Sequence, residues 1–514
     1  MDFTGSNDIE QLVAGVLASR AYTHRQDVDN SVAAVITVED DKRFLPQTLS
    51  AVFAQSMLPS VIVIADCTGR LERPVQTSFD VIPMPSGPAT HLPDTKRVYV
   101  RIVPVSGAKS FSQAVSFAAA AAGLDPSVRC LWMLHDDSRP ANNQCLESML
   151  ETWRNAPTAS ILGAKQLDWQ GDNLHDVGRY AGHHRLYSLV VDGEPDQEQY
   201  DGRQDVFAVS LAGALVPVDT LRTLNGISPW FGTFGESADF CRRVCLSGGR
   251  VVVVPGAKIA HRRARFEGIR TRGGQALDEE DRQNTSLSRM RAEQRYAYTD
   301  IRMVWWLLWW LCSIPMAVGK AVMKLFAKQP RDAVSELAMP WSAILSFPRA
   351  INARRQVVGQ TKVTPSRLGV LIADRQQIAR WHDRRNAMDS QRHMVLLSPL
   401  AKAHLRQRLI RRWVGAVLMM IAVTAVVVAT QWQLIRSFAM GGTLYSDQWL
   451  ATGASWLFYY RAIQMGEVHK VTAIDKLSVV LTFLMAFLFL QETPNVKSVV
   501  GCILITLGCA AMIL

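Results

Sequence analysis

The sequence predicts an α/β fold, a mostly parallel sheet with flanking helices, followed by an α-helical transmembrane region. Three observations carry that prediction. Short β-branched apolar runs alternate with helix-period stretches up to about residue 290, several of those runs end in carboxylates, and long apolar runs dominate the C-terminal part. With 514 residues, 48% of them hydrophobic, the chain is long enough for one large soluble domain plus a membrane region.

Taken in order, Ser31 to Val38 reads as the first strand, and Leu45, Leu49, Val52 and Phe53 then fall at helical spacing. Ser60 to Asp66 is a second strand ending in a carboxylate, and a turn-rich loop through Pro83 to Pro88 leads to a third, Arg97 to Val105. An alanine-rich helix over 109–122 precedes the apolar run Leu131 to Leu134, which ends in His135, Asp136 and Asp137. A late strand, Arg250 to Pro255, is followed by His261. Ligands of open α/β sheets bind beyond the carboxyl ends of the strands, so Glu39, Asp40, Asp66, Asp136 and Asp137 are expected on one rim. Singly, such carboxylates serve as turn or cap residues and His261 as a surface histidine; their convergence marks a site.

The net charge of +11 lies mainly beside the hydrophobic segments, which points to anionic membrane lipid and away from nucleic acid. The eight cysteines form no Cys-x-x-Cys pair, so neither a zinc site nor a disulfide framework is expected, and Cys241 and Cys245, one helical turn apart, read as packing residues. The first residues carry acidic groups and no apolar run of signal-peptide length, so the first domain is expected to stay in the cytoplasm. A dinucleotide fingerprint would need glycines after the first strand, where this chain has Glu39, Asp40 and Asp41. Ser106 to Ser110 lacks the upstream glycine and the Gly-Lys-Ser core of a phosphate loop and reads as a helix start. Without a glycine cradle, phosphate charge would be neutralised by a metal on carboxylates.

The order Val35–Val38, Ile62–Asp66, Leu134–Ser138 and Gly235–Arg243 resembles the GT-A family 2 glycosyltransferases over about residues 30–265. The resemblance implies a GT-A-like domain over 1–295 that binds a nucleotide-sugar donor and a divalent cation, Mn2+ or Mg2+. It places nucleotide contacts at Asp66, with Glu39 and Asp136 on the same rim, and the metal motif at His135-Asp136-Asp137, with Asp137 best placed as ligand. The late acidic motif supplies the catalytic base, here Glu236 or Asp239, which lie three residues apart on one helical face. His261 is a further metal or phosphate contact, with Arg262, Arg263 and Arg265 nearby. Two departures from the family pattern stand out: His135 replaces the first Asp of the metal motif, and Ser237 occupies the habitual position of the base. Trp230 and Phe231 could stack on an acceptor sugar or plug the core. The implied chemistry is inverting transfer to a lipid-linked or polysaccharide acceptor of the cell envelope.

Residues 303–319 begin with four tryptophans, as in a helix entering through an aromatic interface, and a weaker apolar patch covers 337–347. The intervening stretch to residue 411 is rich in arginine and reads as a basic cytoplasmic linker over 349–411, so 296–348 must leave and return on one face, as a two-helix hairpin or a re-entrant pair. The hairpin is the reading adopted, although Glu336 and Pro340 weaken its second helix. A transmembrane helix over 412–435 follows, then apolar spans within 446–514. Ala454–Ile463, Ile474–Leu481, Phe489–Glu492 and Gly501–Gly508 resemble the closing half of an EamA-type repeat of the drug/metabolite transporter superfamily. Such transporters pair repeats, so this one implies a membrane-protein partner, an anchor or a gene fusion. The expectation is a multi-pass plasma-membrane glycosyltransferase with its catalytic domain cytoplasmic; the alternatives are a transporter subunit with a non-catalytic nucleotide-sugar-binding domain, or a fusion product.

Overall fold

The computed structural model describes residues 8–20, 26–82 and 94–392, apart from the single positions 189, 203, 272 and 279, together with scattered positions between 407 and 418. The chain divides into two units, Met1–His393 and Met394–Leu514. The loop at 83–88, the helix at 412–435 and the repeat at 446–514 fall wholly or largely outside the described residues.

The first half of the leading unit runs α1 (Asp8–Ala18), β1 (Asp27–Val38), α2 (Leu45–Phe53), β2 (Met57–Asp66), β3 (Val75–Val81), β4 (Lys96–Pro104), α3 (Phe111–Ala121), β5 (Cys130–His135), β6 (Ser138–Pro140) and α4 (Cys145–Asn155). It continues through β7 (Ala159–Leu167), β8 (Asn173–Asp176), β9 (Arg179–Gly182), β10 (Arg185–Ser188), β11 (Glu194–Pro195), β12 (Asp205–Val206), β13 (Ala214–Pro217) and α5 (Val218–Thr223). Then come α6 (Glu236–Ser247), β14 (Arg250–His261), α7 (Ala264–Glu267), α8 (Ser286–Asp300), α9 (Trp306–Phe326), α10 (Pro330–Gln360) and α11 (Arg375–Arg392).

The sheet is mixed rather than mostly parallel. Its centre, β5-β1-β2-β4, is parallel as expected, but β13 runs antiparallel between β5 and β7, and β3, absent from the sequence reading, closes the other edge antiparallel to β4. The parallel centre is buried on both faces, which is why its strands read as unbroken apolar runs. Along β1 the period-two alternation sends Val32, Ala34 and Ile36 into the core under α1, α2 and α4, and Ala33 and Val35 into the core under α3 and α6. Each such buried Val or Ile contributes about 1.5–3 kcal/mol.

Register fixes the rim. Val38 pairs with Asp66 and Thr37 with His135, so Glu39, Asp66 and the His135-Asp136-Asp137 tip lie at one level. The C-terminal end of β14 runs antiparallel to β6, pairing His261 with Ser138 and delivering the histidine beside Asp137.

Three helices follow. Beside α8, α10 runs the same way, held where Gln294 donates to the Met339 carbonyl at 2.9 Å and Arg354 to the Thr299 carbonyl at 2.7 Å. Met303–Phe326 is the one helical stretch among the described residues long and apolar enough to cross a membrane, with Leu307, Met323 and Phe326 exposed. The second arm of the expected hairpin differs. The 337–347 patch is part of the continuous 31-residue α10, which carries Arg331, Asp332, Glu336, Arg349, Arg354 and Arg355 and packs on the soluble domain. Both ends of α9 are tied back: Trp306 donates to the Ile301 carbonyl at 3.2 Å, while Asp332 takes Asn284 at 2.7 Å and faces Lys324 at 3.6 Å. The segment expected as a free basic linker also docks. Ala373 donates to Ala181 at 2.8 Å, and on α11 Trp381 donates to Val190 at 3.1 Å and Arg384 to the Tyr200 hydroxyl at 2.6 Å.

Candidate active site

A cleft of about 620 Å³ opens beyond the strand ends, lined among others by Glu39, His135, Asp137, Glu236 and His261. Asp137 is buried; its Oδ2 accepts the Ala264 backbone N–H at 2.8 Å and its Oδ1 lies 3.6 Å from His261 Nε2. Burial alone would push this carboxyl up, but His261, Arg270 and His135 together hold it well below the usual carboxylate range, so it is ionised. Its neighbour Asp136 behaves oppositely. Burial, with Asp137 and Glu39 close by, pushes it up to about 7 against the pull of Arg270. Environments that separate two adjacent carboxyls in this way assign them different tasks.

Asp136 works beneath the cleft. Its Oδ1 takes Arg270 Nη1 at 2.8 Å and its Oδ2 the Glu39 backbone N–H at 3.1 Å. Arg270, 3% exposed, also meets Asp41 at 3.3 Å and Glu39 at 3.5 Å, so one guanidinium gathers three carboxylates from the ends of β1 and β5. The loop that carries it approaches closely at Gly274, whose φ of +89° and whose Cβ position, 2.8 Å from Glu39 Cβ, both demand glycine. Asp66 is fully buried at the end of β2, where its Oδ1 takes the Thr68 N–H at 2.8 Å and hydroxyl at 2.6 Å; it is not part of the cleft lining.

His135 stacks on Phe111 with ring centroids 3.9 Å apart, and its Nδ1 is 3.3 Å from the Thr37 hydroxyl. Burial pushes its pKa down to about 4, leaving a neutral imidazole at physiological pH.

Glu236 opens α6, where the first-turn amides favour an anion. Its Oε2 accepts the Ser112 N–H at 3.0 Å, and its Oε1 is buried without a hydrogen-bond partner among the described residues. Burial raises its pKa, while the Ser110 and Ser112 hydroxyls pull it back. Asp239, one turn on, faces the other way: its two oxygens are taken by Arg242 at 2.6 Å and Arg243 at 2.8 Å, all three side chains being almost fully buried. Ser237 donates its hydroxyl toward neither acid and instead accepts the Leu211 N–H at 3.3 Å.

Residues 131–347 match the family described as glycosyl transferase family group 2, and residues 399–514 match the EamA-like transporter family. The chain carries a glycosyl transferase family group 2 domain and an EamA-like C-terminal segment. An uncharacterized transporter from Sinorhizobium sp is 36% identical over 97 residues, covering 18% of this chain and 69% of the relative. Among solved structures, the mannosyltransferase PcManGT from Pyrobaculum calidifontis, in complex with GDP-Man and Mn2+, is similar at a TM-score of 0.30 and 9% identity, covering 75% of this chain and 87% of that one. S. aureus TarS 1-349 in complex with UDP-GlcNAc is similar at 0.30 and 9%, covering 66% and 84%. The EamA-like segment and the transporter relative point to a membrane location.

Among the described residues of the glycosyltransferase, no three His, Cys, Asp or Glu side chains are grouped to hold a metal ion. The pair that fits a divalent cation is Asp137 and His261, an ionised carboxylate and an imidazole in contact on the cleft wall. Trp230 does not line the cleft; it packs against the cluster of Tyr298, Ile301 and Trp306, while Phe231 is buried in the core. Cys241 and Cys245 point their thiols at the Val209 and Phe207 carbonyls, and burial pushes Cys241 up to about 12, which makes it an inert packing residue. Sequence reading missed Arg270, the β9–β10 hairpin with Arg185 and Tyr187, and α11, whose Trp381, His382 and Arg385 line the cleft. A lone tryptophan among the charges of α11 was the only signal for the last.

Proposed function

We propose that the chain transfers a sugar, with inversion, from a nucleotide-diphosphate donor to a hydroxyl of a lipid-linked or polysaccharide acceptor of the cell envelope. The observation that carries this reading is the unpartnered, buried Oε1 of Glu236 on the same cleft as Asp137 and His261. Glu236 takes the proton of the acceptor hydroxyl, and the oxygen attacks the anomeric carbon on the side opposite the diphosphate. A divalent cation, Mn2+ or Mg2+, held by Asp137 and His261 would supply positive charge toward that diphosphate. Neutral His135 braces the ring stack behind them. Glu39 stands on the rim where a nucleotide meets the strand ends, Asp66 shapes the β2 end of that rim from beneath through Thr68, and Asp136 holds the rim through Arg270. Asp239 is a structural anchor for α6 in this reading.

The exposed apolar face of α9, tied at both ends to the soluble unit, lies along the cytoplasmic face of the plasma membrane as an interfacial helix. The EamA-like segment then anchors the enzyme among lipids or beside a membrane-protein partner. The match to a transporter family favours a second reading, a transporter subunit whose nucleotide-sugar domain is idle. A screen of nucleotide sugars against the full chain in detergent, with and without Mn2+, separates the two. Turnover lost in Glu236→Gln and Asp137→Asn supports the enzyme; tight donor binding without turnover, with solute flux in proteoliposomes, supports the transporter.

A further inference from the structure

Two guanidiniums share one aromatic ring in the cleft. Arg263 lies 5.0 Å and Arg289 4.6 Å from the Phe266 ring centre, and all three residues line the cavity. The ring face attracts each cation but takes none of its N–H donors. Arg263 is in part compensated, since it meets Asp192 at 3.0 Å, yet its Nε is buried without a partner. Arg289 is less satisfied still. Its one side-chain hydrogen bond among the described residues is a long one to the Ser286 hydroxyl, 3.4 Å, it has no carboxylate partner there, and its Nε too is buried and unpartnered. Stacking on Phe266 fixes both planar groups with N–H donors unspent, the arrangement that recognises phosphoryl oxygens.

The position of this pair follows from the backbone. Ala264, next to Arg263, is the residue whose N–H binds Asp137, and Thr285 ties the start of α8 to the Phe266 carbonyl at 2.9 Å. Three other cleft arginines are committed to acids: Arg265 to Glu39, Arg270 to three carboxylates, and Arg179 to Asp176 at 2.8 Å with Glu293 adding to the same cation's stabilisation, while Arg185 lies over the Tyr187 ring and Arg385 over that of Trp381.

We propose that Arg263 and Arg289, mounted on Phe266, form a phosphoryl-binding subsite of the cleft, with Arg289 the residue that completes it from α8. The assignment rests on the glycosyltransferase reading for its purpose, while its chemistry can be read without turnover. Phosphoryl groups reach this site from two sources, the donor diphosphate or a phosphate on a lipid-linked acceptor.

The test is calorimetric titration of the full chain in detergent with inorganic pyrophosphate in the presence of EDTA, which removes any metal contribution. Arg289→Gln is expected to weaken pyrophosphate about ten- to a hundredfold, as the loss of charge-assisted hydrogen bonds implies, and Arg289→Lys to restore part of it. In a second arm, turnover is followed at saturating donor while micellar polyprenyl phosphate is varied. A pyrophosphate defect assigns the subsite to the donor. Unchanged pyrophosphate binding with a raised KM for the phosphate-bearing acceptor assigns it to the acceptor. Both quantities unchanged in a variant of normal thermal stability overturns the subsite. Absence of turnover with every donor overturns the enzymatic reading instead and leaves the pyrophosphate result standing.

Discussion

Glu236 accepts the backbone N–H of Ser112 on one carboxylate oxygen at 3.0 Å and leaves the other buried and unpartnered in the cleft wall. The contact joins the first turn of α6 to that of α3, two elements far apart in sequence, and holds Glu236 in the cleft lining. Replacing the acid by its amide keeps the shape and removes the base. Glu236→Gln is expected to lower kcat by roughly 100- to 10,000-fold with nucleotide-sugar binding unchanged. Steady-state kinetics beside donor titration measure this, and near-normal kcat would remove Glu236 from the reaction.

The same contact sets a pH dependence. Burial raises the Glu236 pKa, and a base must be deprotonated to act, so turnover is expected to fall on the acid side at a pH above that of an ordinary glutamate. The Ser112 hydroxyl lowers the pKa by favouring the charged form. Ser112→Ala therefore moves the acid limb of kcat/KM to higher pH. An unmoved limb in a folded variant shows that some other group controls it.

Asp239 gives the contrasting expectation. Its carboxylate neutralises two almost fully buried guanidiniums, and loss of one partner from such a cluster costs about 3–5 kcal/mol. Asp239→Asn should lower the midpoint of denaturant unfolding, and whatever folded protein remains should keep the acid limb of the parent. A variant of parental stability with no turnover would return the base to Asp239.

The parallel centre of the sheet was legible because strands buried on both faces leave apolar runs, and the rim because three of those runs, β1, β2 and β5, lead into acids. Asp136 and Asp137 show the limit of such reading: adjacent in sequence, they face different surroundings because Arg270, more than 130 positions later, reaches only one of them closely. Glu236 and Asp239 share a helical face on paper, yet Arg242 and Arg243 claim the second acid, and only tertiary packing decides that. The four-residue β13 pairs with β5, some 80 positions earlier, and nothing in its local pattern, or in that of β3 beside β4, states direction. On α11 the charge density signals solvent, whereas Trp381 and Arg384 pin the helix to the cleft.

His135 stands where the family pattern has a carboxylate, and the surroundings explain what that choice avoids. The side chain is half-buried in the cleft wall, with Asp137 and Glu39 close enough to act on its charge and His261 stacked 6.1 Å away. A neutral ring is stable there, whereas a carboxylate would add a further negative charge beside Asp137 and Glu39. His135→Asp is therefore expected to lower the melting temperature in EDTA. At a single Mn2+ concentration, about a hundred times the variant's dissociation constant, the cation should then return about 2.7 kcal/mol to the variant and less to the parent, since an added carboxylate tightens a site that already has Asp137 and His261. Differential scanning fluorimetry across a Mn2+ series reads this without turnover. Equal Mn2+ shifts in parent and variant would place the cation elsewhere than beside residue 135.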